Sequence, residues 1–307
     1  MNRKLLERKN WPILAVASIM TSVAKLPFKA QIWVVIGIGA IAKPFINKRN
    51  IVAKENLKIA FPEKTEEEID EIVKISYRSM VLSGIEITAA WIYPKKKFNK
   101  IKFEIDEESL AIYNKYHNDP NTPVICLGFH FHTIEIIGRY FGANHGPLNV
   151  MYQPNSNELI DTLMKDAREQ NIDKCLSNKR FVSVIKSLKR KCTLWYAPDQ
   201  DFGLEPSGLD NSVFAPFFGK QCLTLTVTPW LAEKSGAVVL PVYYVREECL
   251  KKYKIVFGEP LNFTGDKYHD AKITNEFLEE AIKKHPEQYL WQHRRYRTRP
   301  DGEPQIY

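Results

Sequence analysis

Residues 124–135 read VICLGFHFHTIE, and this stretch carries the strongest structural signal in the chain. Its first five residues form an apolar, β-rich run that stops at Gly128, which is typical of a buried strand. His130 and His132 follow the strand directly, and a helix is predicted to begin near Thr133. Side chains at the carboxyl end of such a strand face the crevice where open α/β sheets bind ligands. The stretch therefore indicates both a fold class and the position of a site.

The rest of the body alternates in the same way between short apolar strands and helices. Strands are predicted over 148–151, 193–197, 237–245 with a break at Pro241, and 254–257, and helices over 49–58, 159–169, 181–189 and 274–284. A further helix is predicted to begin at Thr65 and run toward Trp91, because a threonine cap followed by three glutamates suits the free N–H groups and the dipole of a helix start. The alternation predicts an α/β fold with a mainly parallel sheet flanked by helices.

Composition excludes several classes of protein. The chain has 307 residues, of which 44% are hydrophobic and 26% charged, so it can bury a sizeable core and is neither collagen-like, nor a coiled coil, nor wholly disordered. Its five cysteines form no CxxC or CxxxC pair. That spacing argues against a disulfide framework and a zinc ribbon, and it favours a reducing compartment.

The formal net charge of +8 is concentrated near the two ends of the sequence. Residues 1–54 contain ten Lys or Arg and a single acid, Glu7, whereas the remainder contains 34 basic and 35 acidic residues. Within that remainder, residues 283–299 hold six basic residues and one acid. A nucleic-acid-binding protein would usually show a basic face across its body, so no nucleic-acid partner is expected. The basic N-terminal segment instead favours an anionic membrane surface.

Two uncharged apolar runs, 11–24 and 30–42, lie inside this basic segment. Neither reaches the ~20 apolar residues that a helix needs to cross the hydrocarbon core comfortably. With basic residues on both outer flanks, they predict a membrane anchor over residues 1–46, either a hairpin or a single tilted helix whose flanks stay cytoplasmic. A catalytic domain over residues 47–307 is then expected to follow.

Two other interpretations of the apolar runs stay open. Ser22, Val23 and Ala24 imitate a signal-peptide cleavage site, although a second apolar run follows at once. Apolar runs of this length also occur as buried helices of soluble cores.

The chemistry of the site depends on His130 and Glu135, which are predicted to meet across the turn between the strand and the helix. A carboxylate on one imidazole nitrogen fixes the tautomer and stabilises the imidazolium when the other nitrogen takes a proton. His130 is therefore a candidate general base toward an alcohol, and a hydrogen-bonded core histidine is the alternative. His132 shares one face of the extended segment with His130 and raises a metal site, but no third ligand follows at motif spacing, so no metal is expected.

Further clusters follow His130 to Glu135 in order along the chain: Tyr152 to Asn155 with Arg168, Pro198 to Asp201, Val213 to Gly219, Leu231 to Ala237 with Pro241 and Arg246, and Pro286 to Pro300. Together with His130 to Glu135 as a His-x-x-x-x-Asp/Glu element, this ordered series resembles the lipid A late acyltransferases, the lauroyl and myristoyl transferases of lipopolysaccharide synthesis. The resemblance covers nearly the whole chain. It departs at residues 204–212, which form a longer and looser stretch, and at His132, whose role the family pattern does not fix.

The resemblance implies a glycerolipid-acyltransferase type of fold on a membrane-embedded N-terminal segment, at the bacterial inner membrane with the catalytic domain facing the cytoplasm. It implies transfer of a fatty acyl group from acyl carrier protein to a hydroxyl of a Kdo-bearing lipid A precursor. His130 would deprotonate that hydroxyl and Glu135 would orient His130. No covalent acyl-enzyme and no cofactor are expected.

Other matched residues are expected to serve the substrates. Arg168, Asp199 and Gln200 are expected to contact the substrate: Arg168 would bind a phosphate or stabilise an oxyanion, held by Asp199 in a bidentate pair. A purely structural buried salt bridge between Arg168 and Asp199 is the alternative. Phe217 and Phe218 are candidates for the wall of an acyl-chain groove, with ordinary core packing as the alternative. An acyltransferase for another glycolipid or glycerolipid acceptor, or a catalytically silent lipid-binding homologue, are the alternative functions.

Overall fold

A computed structural model of the chain describes residues 7–201, 203–204 and 211–307. The helices are α1 (Trp11–Val23), α2 (Phe28–Ala60), α3 (Glu66–Ile92), α4 (Lys95–Phe98), α5 (Glu107–His117), α6 (Ile134–Asn144), α7 (Glu158–Arg168), α8 (Phe181–Lys189), α9 (Val227–Ser235) and α10 (Lys267–Lys284). The strands are β1 (Lys102–Ile105), β2 (Val124–Leu127), β3 (Leu148–Tyr152), β4 (Lys174–Ser177), β5 (Thr193–Tyr196), β6 (Ser212–Phe217), β7 (Lys220–Leu225), β8 (Val238–Glu248) and β9 (Lys252–Phe257). Residues 1–6 of the predicted anchor, and most of the loose stretch 204–212, lie outside the described residues.

Seven strands form one sheet in the order β1-β9-β8-β2-β5-β3-β4. Every neighbouring pair is parallel except β8 and β9. Strands β2 and β5 lie side by side at its centre, and all four residues of each are buried. The expected α/β fold with a mainly parallel sheet is therefore confirmed.

Helices cover both faces of the sheet. The connections through α6 and α7 advance along the sheet, whereas those through α8 and α9 return, so right-handed crossovers place the two pairs on opposite faces. Helix α3 packs on α6 and α7, and α2 packs along α3. The N-terminal helices thus form an outer layer on one face only.

Helix α3 begins as its sequence predicts. The hydroxyl of Thr65 accepts from the backbone N–H of Glu68, and the Glu68 carboxylate accepts from the backbone N–H of Thr65 at 2.8 Å. This reciprocal cap satisfies two otherwise free donors of the first turn. The helix then continues to Ile92 and carries Trp91 in its last turn.

Helices α1 and α2 are separated at residues 24–27, where the sequence places a lysine and a proline between the apolar runs. Helix α2 continues without a break past the expected domain boundary at residue 46, and the predicted helix 49–58 is its last part. By length and composition alone, α2 is long and apolar enough to cross a membrane. Its outer side chains Trp33, Ile41 and Phe45 are exposed. The division into an anchor and a catalytic domain stays a prediction.

One local prediction needs correction. Pro241 does not break its strand, because its carbonyl accepts from Gly258 while pairing of β8 passes from β2 to β9 at this point. The segment 213–219 is part of a hairpin: β6 and β7 pair in antiparallel fashion around a two-residue turn at Phe218 and Gly219, both with positive φ.

Candidate active site

Two loops meet at the carboxyl edge of the central parallel strands. Loop 128–133 follows β2, and loop 197–201 follows its neighbour β5. Gly128 is required at the first turn, because a Cβ at this position would lie 2.7 Å from Nε1 of Trp195. The two loops therefore contact each other where they leave adjacent strands. They bring together His130 and Asp199, which are 69 positions apart in the sequence.

His130 is bonded to Asp199 in two ways. Its ring Nδ1 lies 2.6 Å from Oδ1 of Asp199, and its backbone N–H donates to Oδ2 of the same carboxylate at 3.1 Å. The imidazole is about a quarter exposed, whereas Asp199 is buried. With Nδ1 held by a carboxylate, Nε2 is the ring nitrogen that can accept a proton from an entering molecule.

Asp199 remains ionised despite its burial. Burial raises the pKa of this carboxyl, but the His130 ring, its backbone N–H and Arg295 lower it by more, so the pKa lies below its ordinary value. Oδ2 also accepts a hydrogen bond from the Tyr289 hydroxyl at 3.0 Å. Asp199 is therefore a buried negative charge directed at one histidine.

Glu135 forms a second charge pair beside the first. Its Oε2 accepts from Nε of Arg168 at 3.2 Å, and its Oε1 accepts from Nη2 of the same guanidinium. Nε1 of Trp91 also donates to Oε2, at 2.9 Å. Burial raises the pKa of Glu135, but Arg168, Trp91 and the nearby charge of His130 together bring it below the ordinary value.

The two pairs differ from those expected from the sequence. Asp199, not Glu135, holds the His130 ring, and Glu135, not Asp199, holds Arg168 in a bidentate pair. The reason is the direction of α6, whose first turn carries Glu135 toward α3 and α7, while β5 is the direct neighbour of β2. Gln200 is half-buried next to Asp199.

The C-terminal segment 286–299, which we call the C-terminal strap, fastens both loops. The backbone N–H of Leu290 donates to the His130 carbonyl at 3.1 Å, and the N–H of His132 donates to the Gln288 carbonyl at 2.9 Å. In the second loop, the N–H of Asp201 donates to Nε2 of His293 at 2.9 Å. The strap, which lies within the basic stretch 283–299, is therefore structural in part.

His132 belongs to a different network from His130. It is buried, and its Nδ1 lies 2.9 Å from Oγ of Ser79. That hydroxyl accepts from Arg246 at 2.8 Å, so its proton is available to His132, and Arg246 in turn forms a bidentate pair with Glu86. Burial and the Arg246 charge lower the pKa of His132 to about 3. His132 is therefore neutral and joins the site loop to α3.

Phe217 lies in the packed core, and Phe218 is partly buried against it. Phe217 is completely buried against Tyr296 and the Arg295 guanidinium, and Phe218 packs on Phe61 and Trp291. Phe217 therefore fits the alternative of ordinary core packing, and a role of Phe218 in an acyl-chain groove stays a prediction.

Sequence reasoning gave no individual role to Trp91 or Tyr289, although each contacts one of the site carboxylates. Tyr289 lies within the C-terminal block of the family pattern, so the sequence could have singled it out. Nothing in the sequence singled out Trp91, because it lies near the end of a helix predicted only from its cap and its apolar residues.

A partly exposed imidazole backed by a buried carboxylate, at the carboxyl edge of a mainly parallel sheet, is the arrangement of an α/β enzyme that uses a histidine base. The model of the bacterial lipid A biosynthesis acyltransferase family matches residues 1–298. The chain is 30% identical to the lipid A biosynthesis palmitoleoyltransferase of Escherichia coli K12 over 308 aligned residues, which covers 100% of this chain and 97% of that one. It is 31% identical to the lauroyltransferase of the same organism, with 99% and 97% covered.

The chain belongs to the bacterial lipid A biosynthesis acyltransferase family, and it is an acyltransferase. Among solved structures it is similar to the 1-acyl-sn-glycerophosphate acyltransferase PlsC of Thermotoga maritima, with a TM-score of 0.35, 13% identity, and 82% of this chain and 99% of that chain covered.

Proposed function

We propose that this acyltransferase moves a fatty acyl group from the thioester of acyl carrier protein to a hydroxyl of a Kdo-bearing lipid A precursor, with His130 as the general base. The observation that carries the proposal is the contact of Nδ1 of His130 with buried Asp199, which leaves Nε2 to face the substrate. Family membership supports lipid A as the acceptor.

The proposed reaction needs a single base, His130, which takes one proton and later returns it. Nε2 of His130 takes the hydroxyl proton as the oxygen attacks the thioester carbonyl carbon. The tetrahedral oxyanion then collapses, the carbon–sulfur bond breaks, and the imidazolium returns its proton to the leaving thiolate. Asp199 stabilises the transient imidazolium at 2.6 Å, and general acid–base catalysis of this kind contributes roughly 10²–10⁴-fold in rate.

Glu135 and Arg168 have a supporting role in the proposed reaction. The Glu135 carboxylate holds two nitrogens of the guanidinium, and Arg168 keeps about a fifth of its side chain exposed. We propose that this exposed edge contacts a phosphate or the developing oxyanion, where a fixed guanidinium is effective. Glu135 also places a negative charge near His130 without bonding to it.

The proposed location is the cytoplasmic face of the inner membrane. Exposed apolar side chains cover the outer faces of α1 and α2, including Trp11, Ile19 and Trp33. Basic residues dominate the same segment, which suits an anionic leaflet.

The test is an assay with detergent-solubilised protein, a Kdo-bearing tetra- or penta-acylated precursor and a panel of acyl carrier proteins that includes lauroyl and palmitoleoyl donors. Mass spectrometry measures the mass added to the precursor. One added acyl group is expected with the wild type and with His269→Ala, an exposed histidine outside the site. No product is expected with His130→Ala.

Two outcomes would contradict the proposal. Full activity of His130→Ala would remove the general base. Acylation of a glycerol-based lipid, with no addition to the Kdo-bearing precursor, would assign a different acceptor to the same chemistry.

A further inference from the structure

A basic cavity lies away from the histidine, between the α1–α2 turn and α4. It has a volume of about 520 Å³ and is lined by Lys25, Leu26, Pro27, Phe28, Lys96, Lys97 and Lys100. Four of the seven lining residues are lysines and none is acidic. We call it the lysine cavity.

Lys97 holds the two sides of the cavity together. Its ammonium donates to the carbonyls of Ala24 at 2.5 Å and of Leu26 at 3.0 Å, and it lies 4.4 Å from the centre of the Tyr93 ring. Gln31 donates to the same Leu26 carbonyl at 2.7 Å and accepts from the Tyr93 hydroxyl. The turn is therefore fixed on α4 by buried polar contacts, and the cavity is a formed feature.

The remaining lysines leave the cavity with uncompensated positive charge. Within the described part of the chain, Lys25, Lys96 and Lys100 form no ion pair with a carboxylate, and all three are exposed. Burial and the neighbouring charge of Lys100 lower the pKa of Lys97. Like charges held this close favour the binding of an anion.

The apolar surroundings identify the kind of anion. The turn joins α1 and α2, and Ile19, Leu26 and Trp33 on either side of it are exposed. Leu26, Pro27 and Phe28 also supply an apolar wall to the cavity itself. A ligand that fits must carry its anionic group next to apolar material, as a phospholipid does where its headgroup meets its acyl chains.

We propose that the lysine cavity binds the phosphate of an anionic glycerophospholipid headgroup and thereby seats the N-terminal helices at a fixed depth in the bilayer surface. The proposal rests on the membrane association given under the proposed function. An acidic carrier protein is the less suitable occupant, because the cavity opens among the exposed apolar side chains of α1 and α2.

The experiment compares two double variants of the full chain by vesicle flotation. Lys96→Gln/Lys100→Gln removes two charges from the cavity, and Lys43→Gln/Lys48→Gln removes two exposed charges from α2 outside it. Vesicles contain phosphatidylcholine alone or with phosphatidylglycerol. Two lysines near an anionic surface contribute ~1 kcal/mol each, so loss of surface charge alone accounts for up to about 30-fold in either variant. The cavity variant is expected to lose about tenfold more than that in affinity for the phosphatidylglycerol vesicles, because it also loses direct charge-assisted contacts with the phosphate. The α2 variant is expected to lose clearly less.

Each other outcome has a definite meaning. Equal losses in both variants would overturn the site, because only the total charge would then matter. An unchanged vesicle affinity with a raised KM for acyl carrier protein would assign the lysines to the carrier. Equal binding of inorganic phosphate by wild type and cavity variant in detergent would also overturn it.

Transferase activity in detergent separates this proposal from the previous one. The cavity variant is expected to retain wild-type turnover there, because no bilayer is present. Wild-type protein that fails to bind either vesicle would contradict the membrane association itself, whatever the assay shows.

Discussion

At the residue scale, the site contains two carboxylates near one histidine, and the contacts give them different tasks. Asp199 accepts from the His130 ring, the His130 backbone and Tyr289, whereas Glu135 accepts from Arg168 and Trp91. A carboxylate that bonds the imidazole fixes its tautomer, and one that holds an arginine fixes a cation. The two substitutions therefore have separable consequences.

Asp199→Asn is expected to lower kcat by about 100-fold, because the neutral amide no longer stabilises the imidazolium. Glu135→Gln keeps the His130–Asp199 contact and is expected to raise KM for the precursor as well as to lower kcat, because Arg168 loses its fixed position. Steady-state kinetics on both variants check this. A larger loss of kcat in Glu135→Gln than in Asp199→Asn would return the orienting role to Glu135.

Tyr289→Phe removes one hydroxyl from a buried tyrosine that donates to Asp199 at 3.0 Å. A hydrogen bond to a charged group is worth about 2 kcal/mol, so the free energy of unfolding is expected to fall by that amount. Turnover is expected to fall roughly tenfold as Asp199 becomes less well held. Tyr268→Phe, at an exposed tyrosine, is the control in chemical denaturation and in the assay. Unchanged kcat in Tyr289→Phe would limit the hydroxyl to stability.

At the element scale, the contact of α2 with α3 joins the apolar N-terminal layer to the catalytic sheet. Gly39 lies against Val81, and the Tyr77 hydroxyl donates to the Gly39 carbonyl at 2.6 Å. At the end of the same helix, the Asn56 side chain donates to the carbonyls of Trp291 and His293 at 2.8 Å. Helix α2 therefore forms part of the exposed apolar surface and also contacts the C-terminal strap.

Gly39→Ala tests this contact. A Cβ there would lie 2.6 Å from Cγ1 of Val81, a branched side chain with little freedom to move, and overpacking of this kind costs about 1–3 kcal/mol. Gly37→Ala is the matched control, since a Cβ there meets nothing within 4 Å and alanine favours the helix by up to ~1 kcal/mol. Thermal unfolding in detergent is expected to show a lower midpoint for Gly39→Ala only. Recovery in Gly39→Ala/Val81→Ala would assign the loss to this contact, and equal midpoints would contradict it.

The sequence predicts best the elements that have a clear hydrophobic pattern or a clear helix cap. Strands β2 and β5 are apolar throughout, and Thr65 with its glutamates marks the start of α3. Strands β1 and β4 escaped prediction because they are short, lie at the sheet edges and contain charged residues. The site residues could be named from the sequence, but their pairing could not, because strand order places Asp199 beside His130 and only the sheet topology fixes that order.

At the scale of the whole molecule, stability is expected to depend on pH through buried histidines. Burial lowers the pKa of His132 to about 3 and that of His293 to about 4, against about 6.5 in an unfolded chain. Between these values the unfolded chain binds more protons, so stability is complete above pH ~6.5 and falls as the pH drops. Each such histidine contributes up to about 1.4 kcal/mol per pH unit in that window.

Urea unfolding in detergent between pH 5 and pH 7 checks this. The free energy of unfolding is expected to decrease toward pH 5, and His132→Gln is expected to remove about 2 kcal/mol of that decrease between pH 7 and pH 5, or about 1 kcal/mol per unit. The lowered pKa values of Asp199 and Glu135 also make the free energy of unfolding fall as the pH drops, but at more acidic pH, where these carboxylates become protonated. An identical pH dependence of the free energy of unfolding in wild type and His132→Gln would contradict this role of His132.

The C-terminal strap also sets an order of events during translation. A ribosome releases α1 and α2 long before residues 286–299, so the nascent chain presents its exposed apolar helices first and the partners of loops 128–133 and 197–201 last. Until Tyr289 and His293 emerge, loop 197–201 has neither the phenol on Asp199 nor the imidazole on Asp201. On the proposed mechanism, chains interrupted before that point cannot hold the base in place, so acyl transfer begins only after the strap has been synthesised.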